Sequence, residues 1–251
     1  MAELKLPTEV VSLPSKGLLY PKESPLAKGE IEMKYMTAKE EDILTNSNFI
    51  RQGNVIDKLL QSLIVTPFNY DDLLIGDKNA VLIAARILGY GSEYQFKYID
   101  NRGKETEATV DLSKLEEKVI DESLYKNGNN FTFTLPKSGN VVTFKLLSHG
   151  DEKKIDAEIK GLTKVNPNGS FDVTTRLKHI ITSINGDREL KSIRDFVDNF
   201  LLAPDARALR EYYAKIQPDI EMKFIPEDEN YTGEGIIVPI SLNFFWPDSG
   251  L

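Results

Sequence analysis

The chain has 251 residues, 39 acidic against 31 basic side chains, a net charge of −8 at pH 7, no cysteine and two histidines. Its length suits one large domain or two small ones. The missing thiols exclude disulfides, thiolate metal centres and cysteine nucleophiles, the two histidines exclude a His-rich zinc site, and the acidic balance argues against a general phosphate-backbone binder.

Hydrophobic residues make up 41% and charged residues 28%, the balance of a soluble globular protein. No apolar run reaches the roughly eighteen residues of a membrane span. "MAELKLPTEV" lacks the basic flank and apolar run of a secretory signal, so a cytoplasm is the expected starting location.

Residues 1–29 contain Pro7, Pro14, Pro21 and Pro25. Each proline removes a donor and turns its predecessor away from helix, so the segment reads as an extended arm. Its apolar side chains, Leu13, Leu18, Leu19 and Tyr20, would pack on their own domain or on a neighbouring subunit. "GEIEMKYM" alternates Ile31, Met33 and Tyr35, the pattern of a half-buried strand. Thr37 with Glu40 fits a capping box and predicts a helix from Ala38. "NVIDKLLQSLI" places Ile56, Leu59, Leu60, Leu63 and Ile64 on one face of a second helix that ends before Pro67. "LLIGDKNAVLIAARILGYG" predicts a third, with Asp77 as its cap, a stripe of Ala80, Ala84, Ile87 and Leu88 widened by Val81 and Ile83, and Gly89 or Gly91 at its end.

"YQFKYIDNRGKETEATVDLS" then reads as a hairpin. Tyr94, Phe96 and Tyr98 alternate on one arm, Ala108, Val110 and Leu112 on the other, and Gly103 stands where the turn needs a positive φ. "LSKLEEKVIDESLY" is short and amphipathic. A second hairpin carries Phe131, Phe133 and Leu135, a turn at Ser138 and Gly139, then Val142, Phe144 and Leu146. "SHGDEKKIDAEIKG" predicts a helix capped by Ser148 or Asp151. Val173, Leu177, Ile180, Ile181 and Ile184 lie at helical spacing, as do Ile193, Phe196, Val197, Phe200 and Leu201. A last helix has Pro204 in its first turn and stops before Pro218. Residues 220–246 are β-like, "IEMKFI" pairing with "IIVPISLNFFW". On such a strand Phe244, Phe245 and Trp246 alternate faces, which turns at least one aromatic away from the local core unless both faces of the strand are covered.

This order gives an α+β fold: helical clusters interleaved with antiparallel β-hairpins, and an extended N-terminal arm. The natural divisions are an arm at 1–29, a strand, three helices and a hairpin at 30–126, and a hairpin, helical cluster and terminal β-hairpin at 127–251.

Catalytic signatures are sparse. "GYGSEY" has Tyr94 in place of a third glycine and follows a helix, the wrong context for a dinucleotide site. No P-loop, H-E-x-x-H or G-x-S-x-G occurs. His149 in "SHGDE" has no attendant nucleophile motif and reads as a solvated loop histidine rather than a general base; His179 reads as packing or half-exposed. Asp42, Asp57, Asp71 and Asp72 could pair in space, but 39 acids make chance proximity expected. Glu227, Asp228 and Glu229 lack EF-hand spacing and read as a polar loop. The expectation is no catalytic residue, cofactor, metal, nucleic acid, membrane or small-molecule substrate.

Several phrases in order, "LPSKGLLYP", "IEMKYMTAKEEDIL", "IDKLLQSLI", "LLIGDKNAVLIAARILGYG", "DLSKL", "PDARALREYYAKIQPDI" and "VPISLNFFWP", resemble the baseplate hub subunits of T4-type contractile-tailed phages. The resemblance spans most of the chain; its specificity lies in the order of the phrases. Related phage proteins carry zinc-ribbon-like hairpins with paired cysteines after "GYG" and before an "FFWP"-like ending. Here the arms "FKYIDNRGKETEA" and "MKFIPEDENYTGEGI" hold no metal ligand. The resemblance therefore implies hairpins held by cross-strand pairs, with Tyr94, Phe96, Tyr98, Phe224 and Tyr231 replacing the staple.

It also implies a non-enzymatic structural or assembly protein of the central baseplate hub, acting by association with other tail and hub proteins. The candidate contacts are Leu13, Pro14, Leu18, Leu19, Tyr20 and Pro21 in the arm, and Phe244, Phe245, Trp246 and Pro247 in the tail. Such a protein would be found in the host cytoplasm during assembly and in the virion baseplate. One alternative is a transient tail-assembly chaperone absent from the mature virion. A second is a carboxylate-dependent hydrolase, which would need two acids at catalytic separation.

Overall fold

The computed structural model describes residues 6–100, 103–226, 235–240 and 242–245. Strand β1 (Thr8–Ser12) pairs antiparallel with β2 (Glu30–Lys34), Thr8 opposite Lys34 and Ser12 opposite Glu30. Only this stretch of the described N-terminal segment is a strand. Residues 13–28 fold into a compact connection that includes a 3-10 turn, Pro25–Lys28, capped by Ser24. The prolines exclude a long helix here but not tight turns, so the extended arm is corrected to a strand plus a folded-back loop.

Helix α1 (Ala38–Leu44) begins where the capping box predicts. Glu40 Oε2 accepts from the Thr37 N–H at 3.0 Å and hydroxyl at 2.6 Å, and Oε1 from Lys34 Nζ at 2.8 Å and Ser62 Oγ at 2.7 Å. Burial alone would raise this carboxyl; hydrogen bonds from Lys34, Thr37 and Ser62 outweigh it and hold the pKa at about 2. Glu40 thus joins β2, α1 and α3 (Val55–Leu63), with α2 (Ser47–Gln52) between the two helices. Helix α4 (Ile75–Tyr90) starts two residues before Asp77, so Asp77 is not its cap. Of the expected stripe Ala80, Val81 and Ile83 are buried, together with Leu82 and Ala85, while Ala84, Ile87 and Leu88 stay half-buried.

Strands β3 (Glu93–Ile99) and β4 (Glu105–Asp111) form the first hairpin, with Gly103 at φ +76°. The next stretch, short and amphipathic in its pattern, forms no α-helix. It makes two 3-10 turns, Leu112–Lys114 and Glu122–Tyr125, because Asp111 and Asp121 accept from the backbone N–H groups of Ser113 and Ser123 and offer the chain an alternative to helix. Strands β5 (Phe131–Thr134) and β6 (Val141–Phe144) form the second hairpin. In α5 (His149–Val165) both proposed caps act together, Ser148 and Asp151 each accepting from the other's backbone N–H.

Helix α6 (Asp172–Ile180) stops earlier than its apolar spacing suggests. Ile181–Ile184 becomes β7, which pairs with β6 and completes a three-stranded sheet in the order β5-β6-β7. A short β-branched apolar run fits either period, and the open edge of β6 decides it. Helix α7 (Leu190–Asp195) runs into a π-helical turn, Phe196–Phe200, before α8 (Ala203–Ile216). The terminal pairing is short: β8 (Lys223–Phe224) with β9 (Ile236–Ile237). Leu242–Phe245 is a 3-10 turn instead of a strand. One buried cluster draws on the segments at 1–29, 30–126 and 127–251 alike.

Candidate functional site

The motif "LPSKGLLYP" folds around one buried carboxylate. Asp77 Oδ1 accepts from the Ser15 N–H at 2.9 Å, and Oδ2 accepts from Ser15 Oγ at 2.7 Å and from the Tyr20 hydroxyl at 2.6 Å. The Tyr20 oxygen in turn accepts from the Leu74 N–H at 3.0 Å, satisfying a donor at the start of α4. Burial pushes the Asp77 carboxyl up, against the pull of Tyr20 and Ser15; burial likewise pushes the Tyr20 hydroxyl up, with the Asp77 charge adding to it. A Cβ at Gly17 (φ +75°) would lie 2.4 Å from the Ala27 carbonyl oxygen, so the two limbs of the loop touch through glycine. Lys16 takes the left-handed φ of +51° beside it and pairs with Glu122.

The clasp sorts the candidate contacts of this segment. Leu13, Pro14, Leu19 and Tyr20 face inward and are covered by the chain itself. Leu18, 42% exposed, and Pro21 point outward from a rigid turn.

The tail behaves similarly. Phe244 and Phe245 are both buried, because a 3-10 turn does not send successive side chains to opposite faces as a strand does. Phe244 meets Tyr94 edge-on at 4.9 Å and Phe245 at 5.2 Å, while the Tyr94 hydroxyl donates to the Pro239 carbonyl at 3.0 Å. Trp246 and Pro247 lie outside the described residues.

The aromatic staple is formed by four of the five rings assigned to it. Phe96 meets Phe224 at 5.6 Å and Tyr94 at 5.7 Å, and Tyr98 meets Phe224 at 6.2 Å. The fifth, Tyr231, lies outside the described residues, as do Glu227, Asp228 and Glu229. Among the described residues no His, Cys, Asp or Glu cluster has the geometry of a metal site.

His149 is not a solvated loop residue. It opens α5 with its side chain buried, and its Nε2 lies 3.6 Å from Asp57 Oδ2 and 4.0 Å from Asp71 Oδ1. Its Nδ1 is 3.2 Å from Lys78 Nζ. An ammonium only donates, so Nδ1 accepts and Nε2 carries the proton toward the two acids. Two of the four aspartates considered for a spatial pair therefore do meet, around a histidine. Both are already engaged: Asp57 with Lys78 at 2.6 Å and the Tyr70 hydroxyl at 3.2 Å, Asp71 with Lys153 at 3.0 Å. The arrangement joins α3, α4 and α5. His179 is held at 2.9 Å from Glu158, whose carboxylate also takes both Arg194 terminal nitrogens at 2.7 and 2.8 Å; the Arg194 bonds chiefly hold that carboxyl at about 2.

Burial, aided by Lys78, lowers the His149 pKa below its ordinary 6.5, against the raising effect of Asp57 and Asp71. The unfolded chain then binds this proton more readily than the folded one. The contribution is present above about pH 6.5 and is lost as pH falls below it. Urea unfolding between about pH 7.5 and 5.5 should show stability falling on acidification, and His149→Gln should flatten that slope. An unchanged slope in the variant would show that His149 is not its source.

Apolar surface remains exposed elsewhere. Phe200 is 61% exposed and Leu202 48%, at the junction of the π-helical turn and α8. Helical spacing groups Phe200 with Ile193, Phe196 and Val197, but the π turn shifts the phase and swings it outward. The apolar run "FLLAP" up to Pro204 was the available signal. Ile225 and Ile237 are similarly exposed around the β8–β9 pairing.

A family model described as T4 bacteriophage base plate protein matches residues 9–201. No curated protein and no solved structure matches the chain.

Proposed function

Because the chain belongs to the T4 bacteriophage base plate protein family, we propose that it is a non-enzymatic building protein of the central baseplate hub, working by association with other hub and tail proteins. The observation that carries this reading is the contrast between its polar and apolar groups. The conspicuous titratable clusters, at Asp77, Glu40, His149 and Glu158, are closed on themselves and join elements of the fold. Large apolar side chains at Leu18, Phe200 and Leu202 stand in solvent, where a partner's surface would cover them. The charge of −8 favours basic partner faces and speeds encounter with them.

The contact set is accordingly Leu18 and Pro21 on the clasped turn, with Phe200 and Leu202 beside α8. Leu18→Asp should change stability by no more than about 0.5 kcal/mol, since it alters one exposed side chain, while weakening the complex with hub partners. Quantitative mass spectrometry of purified virions tests the structural role. A fixed copy number per particle is the expected result. Presence in assembly intermediates and absence from finished particles would replace it with the chaperone reading.

A further inference from the structure

A groove of about 310 Å³ lies between α6 and α8, with Leu147 among its lining residues. Its α6 wall presents Val173, Leu177 and Ile180, spaced so that they share one helix face, and its α8 wall presents Arg210 and Tyr213, three residues apart and also on one face. The space suits one large apolar side chain.

The polar groups around it differ in how they are satisfied. Arg176, on the same rim, is closed by Glu152 at 2.6 Å and Asp172 at 3.1 Å. Arg210 is not: its Nε donates to the Ala206 carbonyl at 3.3 Å, and its two terminal nitrogens have no acceptor among the described residues. Tyr213 is fixed by accepting from the Leu147 N–H at 3.0 Å, and its hydroxyl proton likewise has no acceptor among the described residues. A cationic fork, exposed at the surface, and a hydroxyl donor therefore stand without an acceptor among the described residues on one wall of a groove also lined by Glu152 and Asp172, both of which are paired with Arg176. A carboxylate on an apolar stem meets both requirements, because guanidinium donates two parallel hydrogen bonds to it.

We propose that this groove docks a partner segment which inserts one large apolar side chain and sets a carboxylate beside it, against Arg210 and Tyr213. The proposal rests on the association reading only for the occupant's being part of a partner protein. The recognition chemistry stands on the groove alone.

The test uses N-acetylphenylalanine and its neutral amide, N-acetylphenylalaninamide, titrated separately into the full isotope-labelled chain and followed by amide NMR shifts. The acid should shift the amides of Val173, Leu177 and Tyr213 saturably. The neutral amide, and the acid with Arg210→Glu, should bind about tenfold more weakly, the scale of a charge-assisted hydrogen bond. Arg210→Lys, which keeps the charge without the fork, should fall between. Absence of saturable shifts at these positions, or equal affinity for the two probes, would overturn the proposal. A concentration-dependent dimer abolished by Arg210→Glu would assign the groove to a second copy and overturn the partner assignment. Because the titration needs no other phage protein, its failure is distinct from a failure to form hub complexes.

Discussion

Asp77→Ala is expected to lose about 3 kcal/mol of stability. The carboxylate serves three buried donors, the Ser15 N–H, the Ser15 hydroxyl and the Tyr20 hydroxyl. A buried donor left without an acceptor costs about 1–3 kcal/mol, and removing the buried acid recovers part of that total. For a chain of this length the loss corresponds to a melting temperature lower by roughly 10 °C. The damage should be local first. Residues 13–20 are held to α4 through this group, so their amide hydrogen exchange should accelerate before that of α4 itself. Asp77→Asn keeps one acceptor oxygen and should lose less than the alanine variant. Wild-type stability in Asp77→Ala, with unchanged exchange at residues 13–20, would show that the loop is held by its leucines alone.

Gly76→Ala should be more damaging still, and for a reason unrelated to backbone freedom. Gly76 lies in the first turn of α4 without a positive φ, where alanine ordinarily favours helix by about 1 kcal/mol. Here an added Cβ would sit 1.7 Å from the Pro218 carbonyl oxygen and 2.8 Å from its carbon. The obstacle is backbone, so no side-chain rotation relieves it. The crossing is also fastened nearby, Asn79 Nδ2 donating to Asp219 Oδ1 at 2.9 Å. Separating α4 from the segment after α8 should cost more than about 3 kcal/mol, in the range of severe overpacking. The measurement is soluble yield and the urea midpoint of Gly76→Ala beside Gly89→Ala. The three atoms nearest an added Cβ at Gly89 all belong to the Met36 side chain, its terminal methyl at 2.7 Å, and that flexible end can swing aside. Gly89→Ala should therefore be tolerated far better. Equal behaviour of the two variants would contradict the account.

What could be read from the sequence was local. Thr37 with Glu40, and Ser148 with Asp151, announce helix starts because a cap lies within one turn of the donors that it satisfies. The two hairpins are visible because alternation and a positive-φ glycine occur together, as at Gly103. What was not legible depends on partners distant in the chain. Asp77 looks like a cap in its own neighbourhood, and only Ser15 and Tyr20, 62 and 57 residues away, make it a clasp. Ile181–Ile184 is helical by spacing and becomes a strand because β6 lies beside it. His149 reads as solvated until Asp57, Asp71 and Lys78 close around it. The candidate surface was half-legible for the same reason: apolar anchors identify sticky segments, but the chain's own core takes Leu13, Leu19 and Tyr20 and leaves Leu18 outside.

The central claim is that this chain acts by covering apolar surface with partners. Its most direct test is co-expression with the neighbouring tail and hub proteins, followed by size-exclusion chromatography with light scattering, for the wild type and a Leu18→Asp/Phe200→Asp double variant. The account predicts a stoichiometric complex for the wild type and a folded, uncomplexed chain for the variant. Elution of the wild type alone, or a complex unaffected by both substitutions, would contradict it.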